Sequence, residues 1–98
     1  MTKIVDELLQ GIDDAEIRIT IPQSLTIISM GFQAGNVDDN EVKNDIREVV
    51  ELAFQVRGYD VHDENVKKEV DDYVEKIFEN LRMTTLRGRL QNKYLKMR

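Results

Sequence analysis

The sequence predicts a mainly α fold with one short β-strand, in which the strand pairs with its own counterpart in a second copy of the chain. Two observations point to the elements and a third to the pairing. Apolar residues recur at three- and four-residue spacing along most of the chain, the signature of amphipathic helices. Residues 16–21, EIRITI, break that rhythm: Ile17, Ile19 and Ile21 alternate with Glu16, Arg18 and Thr20, and β-branched side chains dominate. A lone strand leaves backbone donors and acceptors unpaired, at about 1–3 kcal/mol for each buried group. The only other extended candidate, residues 56–62, is short and interrupted by Gly58. A second EIRITI, running antiparallel about a two-fold axis, is the expected neighbour.

The elements follow in chain order. Ile4, Val5, Leu8 and Leu9 predict a short amphipathic helix from about residue 3 to Leu9 or Gln10, broken by Gly11, Asp13 and Asp14. The strand comes next and Pro22 ends it. Because proline lacks an N–H, Pro22 also suits the first turn of a second helix. Leu25, Ile28 and Phe32 give that helix one face up to Ala34, with Gly35 as its C-terminal stop. Ile27 and Met30 widen the apolar surface beyond one stripe, which predicts cover on more than one side and therefore a partner. Residues 36–40 have turn chemistry, and Asp38 with Glu41 three residues later resembles a capping box with an acidic cap. A third helix over about residues 40–57 carries Val42, Ile46, Val49, Val50, Ala53 and Phe54 on one face, and Gly58 closes it. Asp63 caps a last helix in which Val66, Val70, Tyr73, Val74, Ile77, Phe78 and Leu81 keep helical spacing, a stripe that suits a core or a subunit seam. The spacing continues through Leu86, Leu90 and Tyr94, with Gly88 as the weak point.

A chain of 98 residues makes one domain and buries only about 60–65% of the surface it exposes when unfolded, so support from a partner subunit is expected. The net charge of −5 conceals a division: all 19 acids and eight of the 14 bases lie in residues 1–81, a net −11. Arg82, Arg87, Arg89, Lys93, Lys96 and Arg98 give residues 82–98 a net +6 with no acid. The expected organisation is a compact, mostly helical domain over residues 1–81 and a basic C-terminal extension over 82–98. Such an extension either balances a helix dipole and the acidic body or contacts phosphate, for which those six basic residues are the candidates.

The segment RITIPQSL at 18–25, the apolar helix ending at Gly35, and NDIREVVE at 44–51 together resemble the ribbon-helix-helix fold of small bacterial, plasmid and phage DNA-binding proteins. The resemblance covers residues 16–56. It implies an interlocked homodimer whose paired strands form an antiparallel ribbon in the major groove of double-stranded DNA. Glu16, Arg18 and Thr20 would then reach base edges, while Ile17, Ile19, Ile21, Leu25, Ile28, Ile46 and Val50 would form the dimer interface. The family also anchors a DNA phosphate on the N-terminus of its second helix. In this chain Asp38, Asp39, Glu41 and Asp45 crowd that position, and like charges there oppose phosphate.

Enzymatic chemistry finds little to work with. The chain has no cysteine and a single histidine, His62, which excludes disulfides, thiolate zinc sites and multi-histidine metal sites. Ser24 and Ser29 lie in the apolar helix segment, and His62 beside Asp60 and Asp63 reads as a turn ahead of a helix cap. The acidic pairs at 13–14, 38–39 and 71–72 lack the glycine and spaced oxygens of a calcium loop. No catalytic residue, metal or cofactor is therefore expected. Residues 1–11 carry Asp6 and Glu7, so they suit neither a signal peptide nor a membrane span, and a cytoplasmic protein is expected. The leading expectation is a dimeric, non-enzymatic DNA-binding accessory or regulatory protein. The competing one is a helical protein-protein interaction module, an inhibitor, adaptor or assembly factor, using its acidic surface.

Overall fold

Residues 16–21 are helical. The computed structural model describes residues 2–96, with side chains described for 3–84, and four helices make up that span: α1 (Thr2–Leu9), α2 (Ala15–Gln33), α3 (Asp39–Val56) and α4 (Glu64–Lys96). No strand occurs among the described residues, so the expected β-ribbon, and with it the ribbon-helix-helix core, is absent.

Two features explain the difference. The Asp14 carboxylate accepts hydrogen bonds from the backbone N–H of Glu16 at 2.9 Å and of Ile17 at 3.1 Å, satisfying donors that a helix start leaves free. The second is a longer apolar rhythm that contains the short one. Ile17, Ile21, Leu25, Ile28 and Phe32 follow one another at three- or four-residue steps and form one helical stripe. A strand would have placed Ile17, Ile19 and Ile21 on one side. The helix separates them: Ile21 is fully buried, Ile17 half-buried against the core, and Ile19 is 58% exposed. The helix also closes its backbone hydrogen bonds within the segment, which a strand in an isolated chain does not. Pro22, the expected strand stop, is the eighth residue of α2. It offers no N–H to the Arg18 carbonyl, and the helix continues past it regardless.

The other boundaries are set locally. Asp38 accepts from the N–H of Glu41 at 2.9 Å and caps α3, and Asp63 accepts from Asn65 at 2.8 Å and Val66 at 3.3 Å to cap α4. At the end of α3, Gly58 takes φ +92° and donates to the Gln55 carbonyl, while Tyr59 donates to the Phe54 carbonyl at 3.0 Å. This is a Schellman closure, and its usual apolar contact is present as the Phe54 and Tyr59 rings, 5.6 Å apart. A side chain at Gly58 would force a left-handed backbone on an L-residue.

The core is a single cluster. Leu8, Leu9 and Ile12 from α1 and its turn join Ile21 and Leu25 of α2, Val42, Ile46, Val50, Ala53 and Phe54 of α3, and Val70, Val74, Ile77, Phe78 and Leu81 of α4. Lys43 meets Glu75 at 3.3 Å and Arg47 pairs with Asp71, so α3 and α4 run antiparallel. Phe32 at the far end of α2 packs on Phe78, with ring centres 5.8 Å apart. The two ion pairs are largely exposed and hold register more than they stabilise. The 33 residues of α4 span about 50 Å at 1.5 Å each, which accounts for the longest dimension of the molecule, 52 Å.

Candidate protein-interaction surface

With α2 helical, its two sides have opposite environments. The side carrying Ile21 and Leu25 is in the core, and the opposite side carries Ile19, Ile27 and Met30, which are 58%, 68% and 64% exposed. Between them Pro22, Gln23, Thr26 and Ile27 line a shallow depression of about 330 Å³. The Thr26 hydroxyl donates to the Pro22 carbonyl at 3.0 Å and Pro22 has no N–H, which leaves the Gln23 amide as the polar side chain of the lining. No charged residue occurs over residues 19–37 of a chain that is 34% charged. The outer face of α3, by contrast, exposes Glu41, Asp45 and Glu48.

The residues expected to read DNA lie elsewhere in the architecture. Glu16 is exposed in the first turn of α2, and Thr20 is half-buried. Arg18 is occupied: its Nη1 donates to the Leu9 carbonyl at 3.1 Å and to the Ile12 carbonyl at 2.9 Å, tying the end of α1 to the start of α2. A charged donor on two carbonyls stabilises by about 1–2 kcal/mol, discounted here because the residue is exposed. Arg18→Ala is therefore expected to lower the melting temperature by about 4–8 °C, the equivalent of about 1 kcal/mol in a domain of this size. An unchanged melting temperature would show that the contact stabilises nothing.

Of the expected dimer-interface residues, Ile21, Leu25, Ile46 and Val50 are fully buried in the subunit's own core. Ile17 and Ile28 are half-buried against it, and only Ile19 faces outward. In the basic extension, Arg82 pairs with Glu79 at 2.8 Å, a contact that raises the guanidinium pKa further. The side chains of Arg87, Arg89, Lys93 and Lys96, and Arg98 altogether, lie outside the described residues.

No group of three or more His, Cys, Asp or Glu side chains that could hold a metal gathers among the described residues. The Asp60 carboxylate accepts from the His62 backbone N–H at 2.9 Å, which makes residues 60–62 a tight turn. Burial raises the Tyr73 phenol above its ordinary pKa; Glu7 adds to the shift and Arg57 opposes it. Tyr73 keeps its proton and offers no base. None of the described helices is long and apolar enough to cross a membrane. Comparison with protein-family models, with curated proteins and with solved structures found no match for this chain.

Sequence reasoning named Ile27 and Met30 as apolar excess on their helix but did not place Ile19 beside them. The absence of charge over residues 19–37 was the available signal, because a helix covered on one side only would normally carry charge on the other.

Proposed function

We propose that this protein is a non-enzymatic, cytoplasmic protein-interaction module that docks an apolar helix of a protein partner on the outer face of α2. One observation carries this reading: Ile19, Ile27 and Met30 stand exposed on α2, which carries no charge from residue 19 to its end. Apolar anchors aligned along one side of a helix, here three and eight residues apart, are the means by which helical partners are recognised. Contiguous exposed apolar patches on otherwise charged proteins commonly mark interaction sites. The acidic faces beside it repel nucleic acid and anionic membranes and so narrow the range of partners.

A photoreactive amino acid installed in place of Ile27 tests this in living cells. The expected result is a covalent adduct that protease destroys and nuclease leaves intact, with none formed from the same group placed at Glu48 on α3. An adduct only with nucleic acid, or none at all, would contradict the reading. A second reading, phosphate contact on nucleic acid, is favoured by the net +6 of residues 82–98, most of which lie on the continuous α4. A duplex affinity that falls steeply with salt would support it.

A further inference from the structure

We propose that the helix docked on the outer face of α2 is α2 of a second copy of this chain, antiparallel, with the two-fold axis passing midway between positions 24 and 25. This rests on the interaction reading above and names its partner. The pattern of the face itself leads to a copy. Ile19 and Met30 lie equally far on either side of that midpoint, as do Pro22 and Ile27, and Gln23 and Thr26. At 100° per residue these pairs are also mirrored in azimuth about the centre of the exposed face. A two-fold axis through that centre therefore sets Ile19 against Met30 of the second copy and brings the Ile27 side chains of the two copies to one edge of the seam, with the two Pro22 rings at the other. The patch is its own complement, as an isologous interface requires.

Charge distribution selects the same pairing. In this register Glu16 falls opposite Gln33 and Arg18 opposite Gly31, so no two like charges meet. Two copies meeting through α3 would oppose Glu41, Asp45 and Glu48 with themselves, and carboxylates that close repel one another. A nucleic acid or an anionic lipid surface would need cations, and residues 19–37 contain none.

The chain contains no cysteine, so single cysteines report register without interference. Sedimentation equilibrium of the full chain is expected to show a concentration-dependent monomer–dimer equilibrium. Ile27→Lys, which enters the interface twice by symmetry, should weaken it by about 100-fold or more. Its helical circular dichroism should be unchanged, because Ile27 is 68% exposed and outside the core. Under mild oxidation, chains bearing Ile19→Cys mixed with chains bearing Met30→Cys should form a disulfide-linked dimer. Neither variant should do so alone, since like positions lie about 16 Å apart along an antiparallel pair. A monomer at every concentration, a dimer indifferent to Ile27→Lys, or self-linking of Ile19→Cys would each overturn the proposal. If the chain is monomeric while the group at position 27 still captures another protein, the interaction reading stands and the copy is wrong. If neither occurs, both fall.

Discussion

Phe54→Ala should destabilise the protein by about 3–5 kcal/mol, the usual cost of deleting a buried aromatic ring. The ring is 2% exposed and is flanked by Tyr59 at 5.6 Å and, edge-on, by Tyr73 at 5.8 Å, with the Arg57 guanidinium at 5.8 Å. Three elements therefore lose contact at once: the end of α3, the turn that closes it and the first half of α4. Tyr59 cannot fill the space without opening the Schellman closure, because its own N–H is bonded to the Phe54 carbonyl. A domain of this kind has about 5–15 kcal/mol in total, so the variant should melt some 15–30 °C lower or fail to accumulate. A loss below about 1 kcal/mol would show that the ring is not packed as described.

Pro22→Ala should act in the opposite direction and stabilise by about 1–2 kcal/mol. Proline inside a helix costs about 3 kcal/mol, from the lost hydrogen bond and the clash with the preceding turn. Part of that is returned because proline restricts the unfolded chain, an effect of about 0.4–1 kcal/mol. Alanine restores a donor to the Arg18 carbonyl and frees Ile21 from the bias against helical backbone that a following proline imposes. The melting temperature should rise by about 5–15 °C. A strand stopped by Pro22 would gain nothing from the change, so a neutral or negative result would count against α2 as a continuous helix. Pro22 also lines the depression on the outer face, so the more stable variant should associate less strongly. On the docking proposed for that face, Pro22 would be a destabilising residue kept for binding, an exchange of stability for function.

The legible parts of the fold were those decided within a few residues. Asp38, Asp63, Gly35 and Gly58 each act through a hydrogen bond or a backbone angle spanning no more than five positions, and the sequence shows all of them. The segment at 16–21 was misread because two periods coincide there. Its two-residue alternation lasts six residues and ends at Pro22, whereas the helical stripe from Ile17 to Phe32 crosses the proline. The longer pattern prevails because it is the one that reaches a core: Ile21 and Leu25 are buried by the rest of the subunit. Reading Pro22 as a stop divided that stripe and hid it. The same error concealed the candidate site, since Ile19, Ile27 and Met30 share a face only if α2 is a single helix. The isoleucines at 17 and 21 were rightly read as apolar anchors, but they pack within one chain instead of between two.

The aromatic cluster around Phe54 also fixes what light can report. The chain has no tryptophan and three tyrosines, and two of these, Tyr59 and Tyr73, flank that ring. The near-ultraviolet dichroism and emission of these two will therefore observe the α3–α4 turn. The outer face of α2 itself carries no aromatic side chain, so separation of two copies there would leave the Tyr59 and Tyr73 signals unchanged while unfolding would alter them.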